Sequence, residues 1–453
     1  MAEKLTDPSK PVHEIIEVLE DGDAIRNDGV RLTAANKNPW YVLATIYGEH
    51  EEEDNYVTFD RGLAAKNRRS WNLWACQGLS DEEREDRAKK LGLTIADLTP
   101  HQSSQKAKAE LEEITKRFQA RMGADMDLPS NEGNSNFTNA IFSKYLNFEK
   151  MVFERDAFFN NAVFARDVTF TSAAFLGEAV FIYSTFFGDT HFNFSSFSSS
   201  AIFNFAVFMN FTSFGHATFS VIADFSSVTF KSTTRYSDAK FLTYVPEFHA
   251  AKLYEDTVFP IPERYTDNWP KLKGKYSMPA ADQKRAYNRL RLFMNKSLQI
   301  DEEQFFHRQE MRCKTVLAKW YHKPFYWLFS WFSDYGISVW RPLFWMVFVM
   351  LSGALFMLWW QEAFTFLPKE TSGFDWTLGL LGEDDPWAKP RQAAGWSISN
   401  TLPFLGFGKL YYGGEFAANL AWPLKVVGGV QTVAGFILLF FFGLGLRNRF
   451  RLR

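Results

Sequence analysis

Residues 157–192 read AFFNNAVFARDVTFTSAAFLGEAVFIYSTFFGDTHF, and the spacing of phenylalanine there decides the fold. Phe159, Phe170, Phe181 and Phe192 stand eleven apart, and Phe164, Phe175 and Phe186 follow five residues behind the first three. Followed outward, one series runs from Phe137 to Tyr236 and the other from Phe142 to Phe241, twenty positions filled by nineteen Phe and one Tyr. Two residues before each ring stands a mostly small side chain, such as Ala157, Ala162, Ala173, Ala179, Ser184 or Thr190. In extended chain, residues i and i−2 share a face, so each small-x-Phe unit points one large and one small group to the same side. The chain must then turn within three residues. A solenoid of very short strands permits this over a hundred residues, with each coil about 4.8 Å above the last. Four corners per coil make the coil 22 residues long, with Phe137, Phe159, Phe181, Phe203 and Phe225 in one vertical column, and five coils rise roughly 24 Å. Eleven is also an α-helical period of 3.67 residues per turn. The segment's Asn, Ser, Thr, Val, Phe and Gly are poor helix formers and argue against that reading.

The whole chain has 453 residues and 48 Phe, with 17% aromatic residues, so its length suggests about three domains. Fifty basic and 52 acidic residues leave a net charge of -2, which does not fit a polyanion-binding protein. Cys76 and Cys313 lack metal-site spacing and are expected reduced. MAEKLTDPSK, at the start, lacks the basic-then-apolar pattern of a secretory signal. The eight His are scattered, and there is no nucleophile with a base, no phosphate loop and no metal spacing. Neither an enzyme nor a cofactor or metal site is expected.

The small-x-Phe units over residues 135–245 resemble the pentapeptide-repeat family, although an extra residue at every second unit departs from strict fives. The resemblance implies a right-handed quadrilateral β-helix, and implies little about function. Some members of the family mimic DNA with an acidic surface. Residues 137–241 here hold seven basic and eight acidic residues, which does not resemble a duplex, and no nucleic-acid partner is expected. Tyr183, Phe194 and Phe205 recur at eleven, two residues past an inward ring, in a nearly uncharged stretch. They read as an outward contact stripe for a partner, or as local packing under the amino-terminal region.

Residues 1–134 read as a small separate amino-terminal region without assignable chemistry. Asn38 to Tyr47 reads as a buried strand, Asp81 to Leu91 and Ser104 to Met122 as charged helices, and Trp71 and Trp74 fit either a core or a surface patch. After the solenoid, residues 246–339 read as a helical linker with helices near Ala281 to Lys296 and Asp301 to Trp320. The succession Glu302 to Met311, then Ser333-Asp334-Tyr335-Gly336, then Trp340-Arg341-Pro342 is similar to the linker of membrane-bound pentapeptide-repeat proteins. Asp334 stands where that family's turn has its first Gly.

Residues 340–453 read as a two-transmembrane domain. Leu343 to Trp360 and Val426 to Leu446 are apolar enough to span, with Trp and Arg at their ends. Basic residues before the first span and after the second place both termini inside, and the intervening loop, with four basic and seven acidic residues, outside. Gly428, Thr432 and Gly435 share one face of the second span and predict close packing, against another helix or another subunit. Gln431 predicts an interhelical hydrogen bond or a pore-lining group. Between the spans, residues 396–409 (WSISNTLPFLGFGK) are too short to cross yet apolar enough to re-enter the membrane; the alternative is a loop lying on the outer surface. Their end, Leu405-Gly406-Phe407-Gly408-Lys409, resembles the Leu-Gly-Tyr-Gly-Asp end of potassium-channel-like two-span domains, which accompany pentapeptide repeats in some bacterial proteins. Thr401, Pro403, Phe404, Leu405, Gly406, Phe407, Gly408 and Lys409 are therefore the filter candidates. Pro403 and Phe404 replace the filter threonines, and Lys409 replaces the outer acid. The expectation is an oligomeric ion pore of a bacterial inner membrane with a cytosolic solenoid as sensor or gating arm; the alternative is a non-conducting, membrane-anchored interaction platform. Membrane lipid, ions and further copies of the chain are the expected partners.

Overall fold

The computed structural model describes residues 14–53, 56–91, 94–98, 105–260, 268–271, 278–363, 388–406 and 420–450. The chain forms two compact units, Met1–Cys313 and Lys314–Arg453. A β-solenoid of about five coils organises the first. Its strands are two or three residues long, and each pairs in parallel with the strand 22 residues on: Ala157 with Ala179, Val163 with Thr185, Val168 with Thr190, Ala174 with Ser196. Four ladders result, one for each side of the coil.

The interior is four columns of stacked rings. Phe137, Phe159, Phe181, Phe203 and Phe225 follow one another at 4.6 to 4.9 Å between centroids, and edge-on contacts near 5.6 Å join neighbouring columns. Small residues such as Ala157, Ala179 and Ala201 are wholly buried and leave room for the rings. Two columns continue past residue 245, where Phe248 stacks on Phe225 and Phe259 on Tyr236, each at 5.1 Å. Both steps are 23 residues rather than 22, so the periodic reading stopped one partial coil too early.

Tyr236 is the exception among the rings. It is fully buried, and its hydroxyl has no hydrogen-bond partner among the described residues. A buried hydroxyl without a partner costs about 1–3 kcal/mol. Tyr236→Phe is therefore expected to stabilise the unit by roughly 1 kcal/mol, read as a higher denaturation midpoint; an unchanged or lower midpoint would count against this packing.

Residues at eleven-residue intervals, from Asn139 through Tyr183 to Asp238, take φ between +56° and +60°. These left-handed residues turn the corners. Asn, Asp and Ser fit such positions readily, because a short polar side chain can bond the local backbone.

Both ends of the solenoid are covered by the flanking segments. Strands Ile15–Val18, Ala24–Arg26 and Arg31–Ala34 form an antiparallel meander whose last member pairs in parallel with Ala140–Phe142. Helices α1 (Pro39–Ala44), α2 (Arg61–Ala75), α3 (Asp81–Leu91), α4 (Ile95–Leu98) and α5 (Gln105–Met122) follow. From α2, Trp71 sits 5.1 Å from the Phe153 ring and donates its indole N–H to the Val152 carbonyl at 2.9 Å. Asn72 accepts from the Val152 N–H and donates to the Lys150 carbonyl, so it occupies the strand edge that the first coil would leave open. Side chains of α1, α2 and α5, among them Tyr41, Trp71 and Phe118, thus share one hydrophobic core with the solenoid's rings. At the other end, Trp269 lies 5.3 Å from Phe241, and α6 (Ala280–Lys296) and α7 (Ile300–Leu317) add Tyr287, Phe305 and Phe306 around it.

Asn38 to Tyr47 is not a strand. The Asn38 Oδ1 accepts from the N–H groups of Trp40 and Tyr41 and caps α1, and Pro39 at the first helical position needs no partner for a missing N–H. Trp71 and Trp74 belong to the core.

The two cysteines are buried and are not joined in a disulfide. Burial, then the neighbouring Glu154, pushes the Cys76 thiol up to about 12; burial, then Glu310, raises Cys313 to about 11. Thiolate is the reactive form, so neither is expected to take up iodoacetamide at pH 8 until the protein unfolds, as read by mass spectrometry. Fast labelling of either in the native protein would contradict this burial.

Candidate functional site

The second unit contains α8 (Lys323–Ser333), α9 (Trp340–Ala363), α10 (Ala388–Thr401) and α11 (Trp422–Phe450). Two stretches, Trp340–Trp360 and Trp422–Phe450, are long and apolar enough to cross a membrane, each with a mean hydropathy of 2.0. Only 17% and 22% of their most apolar windows are buried in the protein, so neither resembles the enclosed core helix of a soluble domain.

Helix α10 lies against both of them. Around its middle, Ala393 and Trp396 pack with Met357 of α9 and with Leu420 and Leu424. One turn on, Ser397 donates its hydroxyl to the Met350 carbonyl at 2.6 Å. Gln431 of α11 donates its amide to that same hydroxyl oxygen at 2.6 Å and to the Val349 carbonyl at 2.9 Å. Gly353 makes the room, because a Cβ there would overlap the Gln431 amide. At the end of α10 the Thr401 carbonyl rests on Gly435 so closely that any side chain at 435 would overlap it. Gly435 is the fourteenth of 29 residues in α11, so α10 ends about halfway along that helix. Its fourteen residues span about 21 Å at 1.5 Å each, short of a hydrocarbon core of about 30 Å. The chain then turns through Pro403–Leu405 and Gly406, at φ +71°, and at Leu420 is back beside Ala393 and Trp396.

Of the filter candidates, Thr401 is fully buried and bonds the Ser397 carbonyl, Pro403 is half-buried, and Phe404, Leu405 and Gly406 are exposed. Phe407, Gly408 and Lys409 lie outside the described residues, as does most of the loop between the spans. On the second span, Gly428 meets Trp396 and Asn400, Gly435 meets Thr401, and Gln431 makes the interhelical bonds. Thr432 bonds only within its own helix, to the Gly428 carbonyl.

Sequence reading missed Ser397, the hub of this contact, together with Ser399 and Asn400. Ser399 Oγ, Asn400 Nδ2 and Gln431 Oε1 have no partner among the described residues. The signal was present, as three polar side chains in a short apolar stretch. Helix α8 was missed too. It ends in a turn with three successive left-handed residues, Asp334, Tyr335 and Gly336 at φ +50°, +59° and +82°. Asp334 therefore adopts a left-handed conformation that glycine takes without steric cost.

The outward aromatics belong to the first unit. Tyr183 stacks on Phe205 at 4.7 Å and Phe194 on His216 at 4.6 Å. Residues eleven apart are half a coil apart, so the expected single stripe is divided between two opposite corners. Arg26 donates to the Tyr183 carbonyl at 3.1 Å, so the Tyr183 corner is partly covered by the amino-terminal meander. No protein-family model, no curated protein and no solved structure matches this chain.

Proposed function

We propose that this chain is one subunit of an oligomeric ion pore, in which α10 and the turn after it form a re-entrant, pore-lining segment. The carrying observation is that α10 stops about halfway along the second membrane-length helix, packed against both, and that Leu420 rejoins the same cluster as Ala393 and Trp396 of α10. Non-helical backbone at such depth is tolerated only where protein covers it or water lines it. Phe404, Leu405 and Gly406 are exposed on a single chain, so a ring of subunits around a wet axis satisfies that requirement. The unpartnered polar atoms of Ser399, Asn400 and Gln431 suit the same surroundings.

The solenoid, in this reading, is a right-handed quadrilateral β-helix of the pentapeptide-repeat type and acts as a rigid sensor or gating arm. Lys314, Lys319 and Lys323 before α9 and Arg341 at its start, with Arg447 and Arg449 at the end of α11, favour both termini on the cytoplasmic side, of a bacterial inner membrane by the resemblance. Purified protein in planar bilayers is expected to pass current. Gly406→Ala, which strains a left-handed residue by about 1 kcal/mol or more, is expected to change unit conductance. Silence across voltages, ions and ligands would overturn the pore.

A second reading, a non-conducting interaction platform, is favoured by Phe194, exposed at 57% on a left-handed corner where bulky rings are disfavoured. Capture of one specific partner, lost with Phe194→Ser, would support it; capture unaffected by that change would not.

A further inference from the structure

Helix α8 carries a feature that neither the solenoid nor the pore reading uses. Phe325, Trp327, Leu328 and Trp331 are 45 to 70% exposed and share one face, with Trp320 beside them at 82%. The helix is also docked, at Phe329 and, for part of its ring, at Trp331. Phe329 lies 5.5 Å from Phe441 of α11, Trp331 lies 4.6 Å from Trp345 of α9, and Arg341 donates to the Ser330 carbonyl at 3.0 Å. Asn448, near the end of α11, donates to the Gly336 carbonyl at 2.9 Å. Helix α8 therefore lies across the first turns of one apolar helix and the last turns of the other. From Trp331 the aromatic contacts pass to Trp345 and, 5.7 Å on, to Phe344, exposed at 65% on α9. The surrounding charge is of one sign. From Lys314 to Gln361 the basic residues are Lys314, Lys319, Lys323 and Arg341, the acid is Asp334, and Asp334 lies 4.0 Å from Arg341. Arg447 and Arg449 stand exposed at the matching end of α11.

We propose that α8 lies flat in the headgroup layer of an anionic leaflet, with its aromatic face in the acyl boundary and Lys319 and Lys323 on phospholipid phosphates. Two features select lipid over a protein groove: the exposed aromatics adjoin a span through the Trp331–Trp345 contact, and tryptophan beside lysine is the composition of a membrane interface. Basic residues at such a surface favour anionic lipid by electrostatics. The proposal rests on α9 and α11 crossing a bilayer and is independent of conduction.

The test uses full-length protein in nanodiscs of phosphatidylcholine with or without one quarter phosphatidylglycerol. Bimane is placed at Trp327→Cys or, as a span control, at Phe348→Cys; Cys76 and Cys313 are buried. The 327 label is expected to be quenched by nitroxide high on the acyl chain, and the 348 label by nitroxide placed deeper. Phosphatidylglycerol retained by the protein is expected to fall by roughly fivefold for each of Lys319→Gln and Lys323→Gln. A water-like 327 label beside a quenched 348 label overturns the proposal and leaves the spans standing. If neither label is quenched, the spans fail and the proposal with them. If lipid retention ignores both lysine changes, the anionic preference is overturned.

Discussion

Gly435→Ala is expected to dislodge α10, whereas Gly429→Ala on the same helix is expected to leave it in place. At 435 a Cβ would overlap the Thr401 carbonyl, which is backbone and cannot rotate aside; at 429 nothing lies within 4 Å. Separating the two helices to admit one methyl loosens the Trp396 packing and the Gln431–Ser397 bond together, since all three contacts lie within three turns of α10. Overpacking of this kind costs about 1–3 kcal/mol, or roughly 5- to 150-fold in the ratio of docked to undocked α10. The measurement is disulfide formation between cysteines at Asn400 and Gly428, which approach closely in the docked arrangement: a Cβ on Gly428 would lie 3.4 Å from Asn400 Cγ. Equal crosslinking in the two alanine backgrounds would refute the docking and, with it, the main support for a re-entrant segment. Loss of crosslinking at 435 together with retained current would separate the packing from the pore.

The solenoid was legible because its geometry repeats. One coil is 22 residues, so every inward ring and every left-handed corner recurs at a spacing visible in the sequence. What was not legible depended on partners distant in the chain. Ser397 bonds groups 47 and 34 residues away, and nothing local to WSISNT announces either. Gln431 was readable as an interhelical donor because an amide inside an apolar span needs a partner. Asn38 to Tyr47 misled because a ten-residue apolar run has no periodicity to separate strand from helix. The Asn-Pro at its start was the stronger cue, since Asn caps and Pro begins a helix. The amino-terminal region was read as separate because its sequence lacks the repeat. The ends of a solenoid need chemistry other than the repeat, namely Trp71 to close a ring column and Asn72 to pair an open strand edge.

Phe192→Ala should be among the most damaging single changes in the first unit, and the damage should be local. Phe192 is fully buried, stacked on Phe170 at 4.8 Å and on Phe214 at 4.9 Å, with Phe181 and Phe203 edge-on at 5.6 Å. Neighbouring rings are held by coils above and below and cannot collapse into the gap, so the cost should reach about 3–5 kcal/mol. In a solenoid each coil touches only its neighbours, so stability is nearly a sum of coil and interface terms. Losing one ring weakens two interfaces and leaves the rest intact. Hydrogen exchange on the full-length protein is expected to accelerate most in the coils holding Phe170, Phe192 and Phe214, and least in the end coils closed by Trp71 and Trp269. Phe194→Ala, two residues on but exposed, should change stability by no more than about 0.5 kcal/mol. A uniform rise in exchange across all coils would mean that the column unfolds as one block, and a nearest-neighbour solenoid would no longer describe it.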